Sequence, residues 1–317
     1  MASGPAVLCL DVGGSSVKSG VVLGDGLVVV GPNRARIHSR GTAEQVVGTL
    51  ANVLLTLRRR AEDLDVRGIG VSMPGPFDYD AGVSAMQGLS KYDGIHGLPL
   101  AEAVTTRAPA LAGLPWRWIN DAHAFALGEL RFGAAVGVAR AMFLTLGTGC
   151  GSAFSVNGEL VTSGHGVPDG GVVYPLEYQG VMIDDLLSGR GLVRLWREEI
   201  EARSAGAAHG SSSAKRSSAG ARRYSARHVG LLADDDDPAA LAAFHRFGAL
   251  LATALAEVYA AFEPEVVVLG GQVSRSLPLF GPAASEAGAP PLKLADAPDL
   301  AALRGAAVHF FAKTGVA

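Results

Sequence analysis

The sequence predicts an α/β protein of two lobes, and three observations predict it. At 317 residues the chain is long enough for two cores of ordinary size. Short apolar runs that stop at glycines alternate with stretches of helical periodicity. One local pattern, a strand followed by a glycine turn and a hairpin, occurs twice, from Leu8 and from Phe143, which suggests a duplicated lobe.

Ala6–Val12 is an apolar run that ends in Gly13-Gly14, Val17–Leu23 is a second strand, and Asp25-Gly26 is a hairpin turn leading into a third at Leu27–Val30. From Thr42 to Leu64 the residues Val46, Val47, Leu50, Val53, Leu54 and Leu57 recur at helical spacing. Thr42 stands where it can cap that helix, and Arg58-Arg59-Arg60 suit its end. Gly68–Met73 is a strand that stops at Pro74-Gly75-Pro76. Strand, strand, strand, helix, strand is half of an actin-like lobe.

A second set begins with a strand end at Trp118–Asn120 and a helix at Ala122–Leu130. The strand Ala141–Leu146 then runs into Gly147-Thr148-Gly149, and Asn157-Gly158 turns Ser152–Val156 back into Glu159–Val161. Arg203–Ser225 has no hydrophobic period and reads as a flexible surface insertion. The four acids Asp234–Asp237 before Pro238 read as a solvated helix start rather than a cation site. Ala239–Phe262 reads as one long helix, and Val266–Leu269 as a buried strand ending in Gly270-Gly271. The lobes are expected at residues 1–119 with about 303–317 (small), and 120–302 (large).

Charged residues make up 18% of the chain and the net charge is −3, which leaves no electrostatic footprint for nucleic acid or an anionic membrane surface. No uncharged apolar run approaches the ~18 residues of a membrane span, and the first residues carry no basic leader. Cys9 and Cys150 stand alone, neither a disulfide framework nor a four-cysteine zinc site, and suit a reducing cytoplasm. A cytoplasmic protein without nucleic-acid or membrane partners is expected.

Four motifs carry chemistry. In Leu10-Asp11-Val12-Gly13-Gly14-Ser15-Ser16-Val17-Lys18 a strand delivers an acid, two glycines allow close backbone approach to phosphate oxygens, and hydroxyls follow. Asp11 stands where a water bound to Mg2+ could be held. Thr145-Leu146-Gly147-Thr148-Gly149-Cys150-Gly151 repeats that arrangement. One such turn is as often plain structure; two at matching points of similar lobes could grip one nucleotide from both sides of a cleft. Val266–Gln272 ends a strand in Gly270-Gly271, which could let backbone approach an adenine or ribose or be a generic strand end. In Asn120-Asp121-Ala122-His123-Ala124, Asp121 either caps the helix or serves as a general base, with Asn120 on a neighbouring hydroxyl. His123 and the pair Trp116 and Trp118 read as structural rather than catalytic or sugar-stacking side chains.

The ordered set DVGGSSVKSG, GVSMPGPFD, INDAHAFALGE, LTLGTGCGSA and VVVLGGQVS resembles the ROK family (repressors, open reading frames and sugar kinases), most of all its bacterial glucokinases. The resemblance runs from about residue 6 to residue 275 and weakly beyond. It implies an actin-like ATPase (ribonuclease H-like) fold, the active site in the cleft between two α/β lobes, and Mg·ATP-dependent 6-phosphorylation of a hexose or amino-hexose. Asp11, Gly13, Gly14 and Ser15, with Lys18 after them, match the first phosphate motif, and Gly147, Thr148 and Gly149 the second. Gly270 and Gly271 match the adenosine motif, Asp121 the catalytic base, Asn120 a sugar ligand and Gly75 the loop beside the sugar. A homodimer is implied by the resemblance alone.

Two departures stand out. The family's Glu-x-x-His motif and CxCGxxGCxE zinc loop correspond to His165–Glu177, which contains no cysteine, so no structural zinc is expected. Asp184 occupies the place of a sugar-binding glutamate, and Glu177 and His165 are candidates for the remaining sugar contacts. A shorter acid in a rebuilt loop points to an amino-hexose such as kanosamine, glucosamine or mannosamine. The phosphate motif starts at Asp11, so no DNA-binding domain is expected before it. A sugar- or nucleotide-binding protein without turnover is the alternative, and the intact Asn120-Asp121 pair speaks against it.

Overall fold

In the computed structural model, which describes residues 4–89, 91–208 and 224–315, the first apolar run is β1 (Pro5–Val12), followed by β2 (Ser16–Leu23) and β3 (Val28–Arg36). Next come α1 (Ala43–Arg60), β4 (Asp65–Met73), a short pair β5 (Phe77–Asp78) and β6 (Val83–Ser84), α2 (Leu100–Arg107), β7 (Trp116–Asn120) and α3 (Asp121–Phe132). The sheet runs β3-β2-β1-β4-β7. β1 is antiparallel to β2, β2 to β3, and the pairs β1/β4 and β4/β7 are parallel. β1 is apolar without alternation because both its faces are covered. Ala6, Leu8, Leu10 and Val12 share a core with Val46, Leu50 and Leu54 of α1, while Val7 and Cys9 share one with Ile119 and Ala124.

Thr42 caps α1 as expected, within a capping box: its side chain accepts from the Gln45 N–H, and its own N–H donates to Gln45 Oε1 at 3.0 Å. The helix stops at Arg60 rather than Leu64. The Ala61 N–H bonds back to the Leu57 and Arg58 carbonyls, and the chain turns so that Asp65 can enter β4. β3 runs past the apolar residues that suggested it, because polar residues up to Arg36 keep pairing with β2.

The later elements are β8 (Arg140–Leu146), β9 (Cys150–Val156), β10 (Glu159–Val161), the pair β11 (Glu177–Tyr178) and β12 (Val181–Met182), α4 (Ile183–Leu186), α5 (Gly189–Ala208) and α6 (Ala226–Asp234). They continue with α7 (Pro238–Ala254), α8 (Ala256–Phe262), β13 (Val266–Gly270), α9 (Leu277–Glu286), β14 (Leu292–Leu294) and α10 (Ala301–Thr314). The second sheet runs β10-β9-β8-β13-β14. Its first two pairings, β8/β9 and β9/β10, are antiparallel, and β8/β13 and β13/β14 are parallel. In both sheets the strands therefore stand in the order third, second, first, fourth, fifth, and the echo read from Leu8 and Phe143 is the first strand of each.

The single helix expected at Ala239–Phe262 is two, bent by 47° at Leu255. The bend keeps Val258, Tyr259 and Phe262 in the core that Phe244, Phe247 and Leu251 also fill. Asp237 ends the acidic run as the cap of α7, accepting from the Ala240 N–H at 2.7 Å with Pro238 in the first turn. Of the insertion expected at 203–225, residues 203–208 complete α5, where alanines favour helix; residues 209–223 lie outside the described residues. No single described helix is long and apolar enough to cross a membrane; the bent pair α7–α8 passes by length and composition.

Contacts divide the chain into two units, Met1–Gly137 with Ala295–Ala317, and Val138–Leu294. The expected boundaries at 119/120 and 302/303 lie away from this division because α3 packs on α10, which also covers β1 and β4. That crossing is close: a Cβ at Gly128 would run into the Ala301 carbonyl, and one at Gly305 into the Ala124 carbonyl.

Candidate active site

In the first unit the parallel register lines up the carboxyl ends of three strands, the edge where open α/β sheets place their ligands. Asp11 stands beside Ser72, and Met73 beside Asn120. Ser72 donates its hydroxyl to Asp11 Oδ1 at 3.1 Å. Lys18 Nζ lies 3.6 Å from Asp11 Oδ2 and 3.3 Å from Asp299 Oδ1, so its charge is shared between two acids. Among the described residues no three His, Cys, Asp or Glu gather around a metal position. Asp11 offers one carboxylate, partly exposed and held in place, which is the donor that Mg2+ needs when nucleotide phosphates and water complete its shell.

The turn that follows is closed by the Gly13 N–H donating to the Ser16 carbonyl at 2.9 Å, while Gly14 and Ser15 are exposed. Two side chains outside the motif, Tyr92 and Ser39, bond to the loop carbonyls.

At the end of β7 it is Asn120 that caps α3. Its Oδ1 accepts from the Ala122 and His123 N–H groups at 2.9 and 3.2 Å, and its Nδ2 donates to the Tyr79 hydroxyl at 3.1 Å. The Tyr79 hydroxyl in turn donates to the Met73 carbonyl at 3.1 Å. A Cβ at Gly75 would stand 3.3 Å from the same hydroxyl, so Gly75, Tyr79 and Asn120 form one corner. Burial pushes the Tyr79 phenol up to about 12, which keeps it a donor.

Asn120 supplies the main cap, and Asp121 shares it through one oxygen only, its Oδ1 accepting from the Ala122 N–H at 2.9 Å. Burial raises the Asp121 pKa above the ordinary carboxylate value, the negative charge of Asp11 raises it further, and Lys91 opposes both. A carboxylate so placed is a stronger base than one in water. His123 is held neutral by burial, in keeping with a structural side chain. Trp118 is buried, stacked on Trp116 and packed against Phe77 in the core.

In the second unit the strand ends again carry glycines. Gly270 pairs with Thr145, and Gly271, at a φ of +88°, passes so near Leu146 that a Cβ would strike its backbone. The Gly147 N–H donates to the Gly149 carbonyl at 2.9 Å, and the Gly189 N–H to the Gly147 carbonyl at 2.8 Å. Gly147, Thr148, Gly189, Arg190, Tyr224 and Gln272 line part of one cavity of about 630 Å3. Asp184, read as a sugar ligand, braces this loop. Its Oδ1 accepts from the Cys150 N–H at 2.8 Å and its Oδ2 from Arg190 at 2.7 Å. His165 and Glu177 are exposed, and among the described residues neither side chain has a hydrogen-bond partner. Sequence reasoning missed Ser72, Tyr79, Ser39, Tyr92, Lys91 and the role of Arg190. Ser72 alone had a signal, its place one residue before the end of a parallel strand.

The ROK family model matches residues 7–308. A glucokinase from Thermotoga maritima is 29% identical over 284 residues, covering 86% of this chain and 84% of that protein. A beta-glucoside kinase from Listeria monocytogenes is 32% identical over 159 residues, covering 50% of this chain and 49% of its own. Among solved structures, a ROK family glucokinase from Streptomyces griseus in complex with glucose and AMPPNP is similar with a TM-score of 0.72 and 24% identity, covering 95% of this chain and 98% of the other, and shows the shared actin-like fold. With the family model spanning nearly the whole chain and its strands in matching order in both sheets, the chain belongs to the ROK family.

Proposed function

We propose that the chain is an ATP-dependent sugar kinase that transfers the γ-phosphoryl group to a hexose or amino-hexose, at the 6-hydroxyl, with Asp121 as general base. The observation that carries this reading is Asp121 itself, partly buried, with its Oδ1 on the Ala122 N–H and its pKa raised, in the same unit as Asp11 and the Gly13–Ser15 turn. Kinase names among the relatives support the reaction class.

The sugar hydroxyl gives its proton to Asp121 as its oxygen forms a bond to the γ-phosphorus and the bond from that phosphorus to the ADP oxygen breaks. Asn120 has one amide N–H left after capping α3 and donating to Tyr79, and it serves a neighbouring sugar hydroxyl beside Gly75. In the first unit the Gly13–Ser15 turn holds phosphate through backbone N–H groups; in the second, the Gly147–Gly149 turn and Gly270-Gly271 offer a similarly close backbone approach to a nucleotide. Lys18 holds Asp11 in orientation and meets the phosphates as a charge. Mg2+, held by Asp11 directly or through water, supplies neutralisation of phosphate charge.

Asp184 no longer favours an amino-hexose over a plain hexose, because both its oxygens are engaged within its own unit. Glucose is therefore the first acceptor to try. The same reading carries a cytoplasmic setting, supported by two buried free cysteines, and a homodimer, supported by family membership.

The test is ADP release from Mg·ATP with glucose, mannose, glucosamine, kanosamine, N-acetylglucosamine and N-acetylmannosamine, with Asp121→Asn alongside. Turnover on one sugar, lost in the variant and with the 6-deoxy analogue, is the expected result. Silence across the panel, with sugar and nucleotide still bound, favours the non-catalytic alternative.

A further inference from the structure

We propose that Tyr92 and Ser39 are positioning residues that aim the Gly14 and Ser15 N–H groups at a phosphate, an inference that rests on the nucleotide reading of this turn. The Tyr92 hydroxyl donates to the Gly13 carbonyl at 2.6 Å, and the Ser39 hydroxyl to the Gly14 carbonyl at 2.5 Å. The two residues are neighbours, since the Tyr92 N–H donates to the Ser39 carbonyl at 2.5 Å.

In a trans peptide the N–H points opposite to its carbonyl, and both peptides concerned are trans. Drawing the Gly13 and Gly14 carbonyls toward Tyr92 and Ser39 therefore turns the Gly14 and Ser15 N–H groups the other way. Both residues are exposed, and among the described residues neither N–H has a protein acceptor. The Gly13 N–H, by contrast, is spent on Ser16. Successive free N–H groups on one side of a turn form an anion nest, and neither glycine could by itself hold the turn in that setting.

Tyr92 is built for a fixed task. Its ring is fully buried and its backbone sits at a φ of +60°, a region bulky residues occupy only when their surroundings hold them there. Burial and the charge of Asp11 both raise its pKa, so the phenol stays protonated and donates.

Tyr92→Phe, Ser39→Ala and Ser39→Thr are compared with the parent chain in affinity for AMPPNP and for inorganic triphosphate by calorimetry, and in KM for ATP and for the sugar. Loss of one hydroxyl is expected to weaken both phosphate ligands about tenfold. KM for ATP rises in step, the sugar KM stays put, and Ser39→Thr, which keeps the hydroxyl, retains affinity. A lower melting temperature with unchanged phosphate affinity makes the two side chains merely structural and overturns the proposal. A parent chain that binds both ligands but turns over no sugar, with Tyr92→Phe and Ser39→Ala binding both about tenfold more weakly, sinks the kinase reading and upholds this one. A parent that binds neither ligand removes both.

Discussion

Asp121 works against the fold that holds it. A carboxyl whose folded pKa is raised above its unfolded value binds protons more readily in the folded state, so stability falls as pH rises through that pKa. The penalty is complete above the raised pKa and fades as pH drops through it. Asp121→Asn is therefore expected to melt at a higher temperature at pH 7 while losing turnover by at least ~10²–10⁴-fold. In the parent chain kcat/KM should fall on the acid side at a pH above the usual carboxylate range of ~4, since only the ionised base accepts a proton. An acid limb at or below that range would falsify the shifted base. Asp184 makes a separate prediction. Asp184→Ala frees the Cys150 N–H and loosens the Gly149 turn, so KM for ATP should rise several-fold, roughly the worth of one hydrogen bond, with the sugar KM unchanged. A change confined to the sugar KM would restore Asp184 as a sugar ligand. Asp121 and the glycine turns were legible because each is a local string of residues. Ser72, Tyr79, Ser39 and Tyr92 were not, because their partners lie 61, 41, 25 and 79 residues away, and no periodicity marks such a bond.

At the scale of elements, the close crossing of α3 and α10 pits two effects against each other. Alanine is favoured over glycine inside a helix by ~0.8–1.0 kcal/mol. At Gly305, however, the added methyl would strike the Ala124 carbonyl, a backbone atom that cannot swing aside. Overpacking of this kind costs about 1–3 kcal/mol, so Gly305→Ala should destabilise, read as a lower urea midpoint at unchanged slope. A neutral or raised midpoint would mean that the two helices separate at little cost. The strands of both sheets were visible as apolar runs because burial on their faces demands it. The end of α1 and the bend at Leu255 were not, since the apolar period continues across both. α10 escaped notice because the small residues that let it approach α3 look, in a string, like any alanine-rich stretch.

For the whole molecule, the two sheets with one strand order made the fold class readable from a repeated hairpin signature, whereas the unit boundaries depend on which helix packs on which. The units differ in continuity: the second is one stretch, Val138–Leu294, and the first is closed by Ala295–Ala317. A fragment of residues 138–294 should unfold in urea as a cooperative unit. Residues 4–137 should do so only when a peptide of residues 295–317 is added. A cooperative transition in 4–137 alone would refute the dependence. Chain order then bears on birth as well as stability. A ribosome delivers α10 only after all of the second unit, so Val7, Cys9, Val22 and Ile119 wait for their cover while residues 138–294 are made, roughly ten to thirty seconds at ~5–20 residues per second. The half of the protein that carries its proposed base is begun first and finished last, and during that interval its unfinished sheet is the surface a nascent-chain chaperone would have reason to hold.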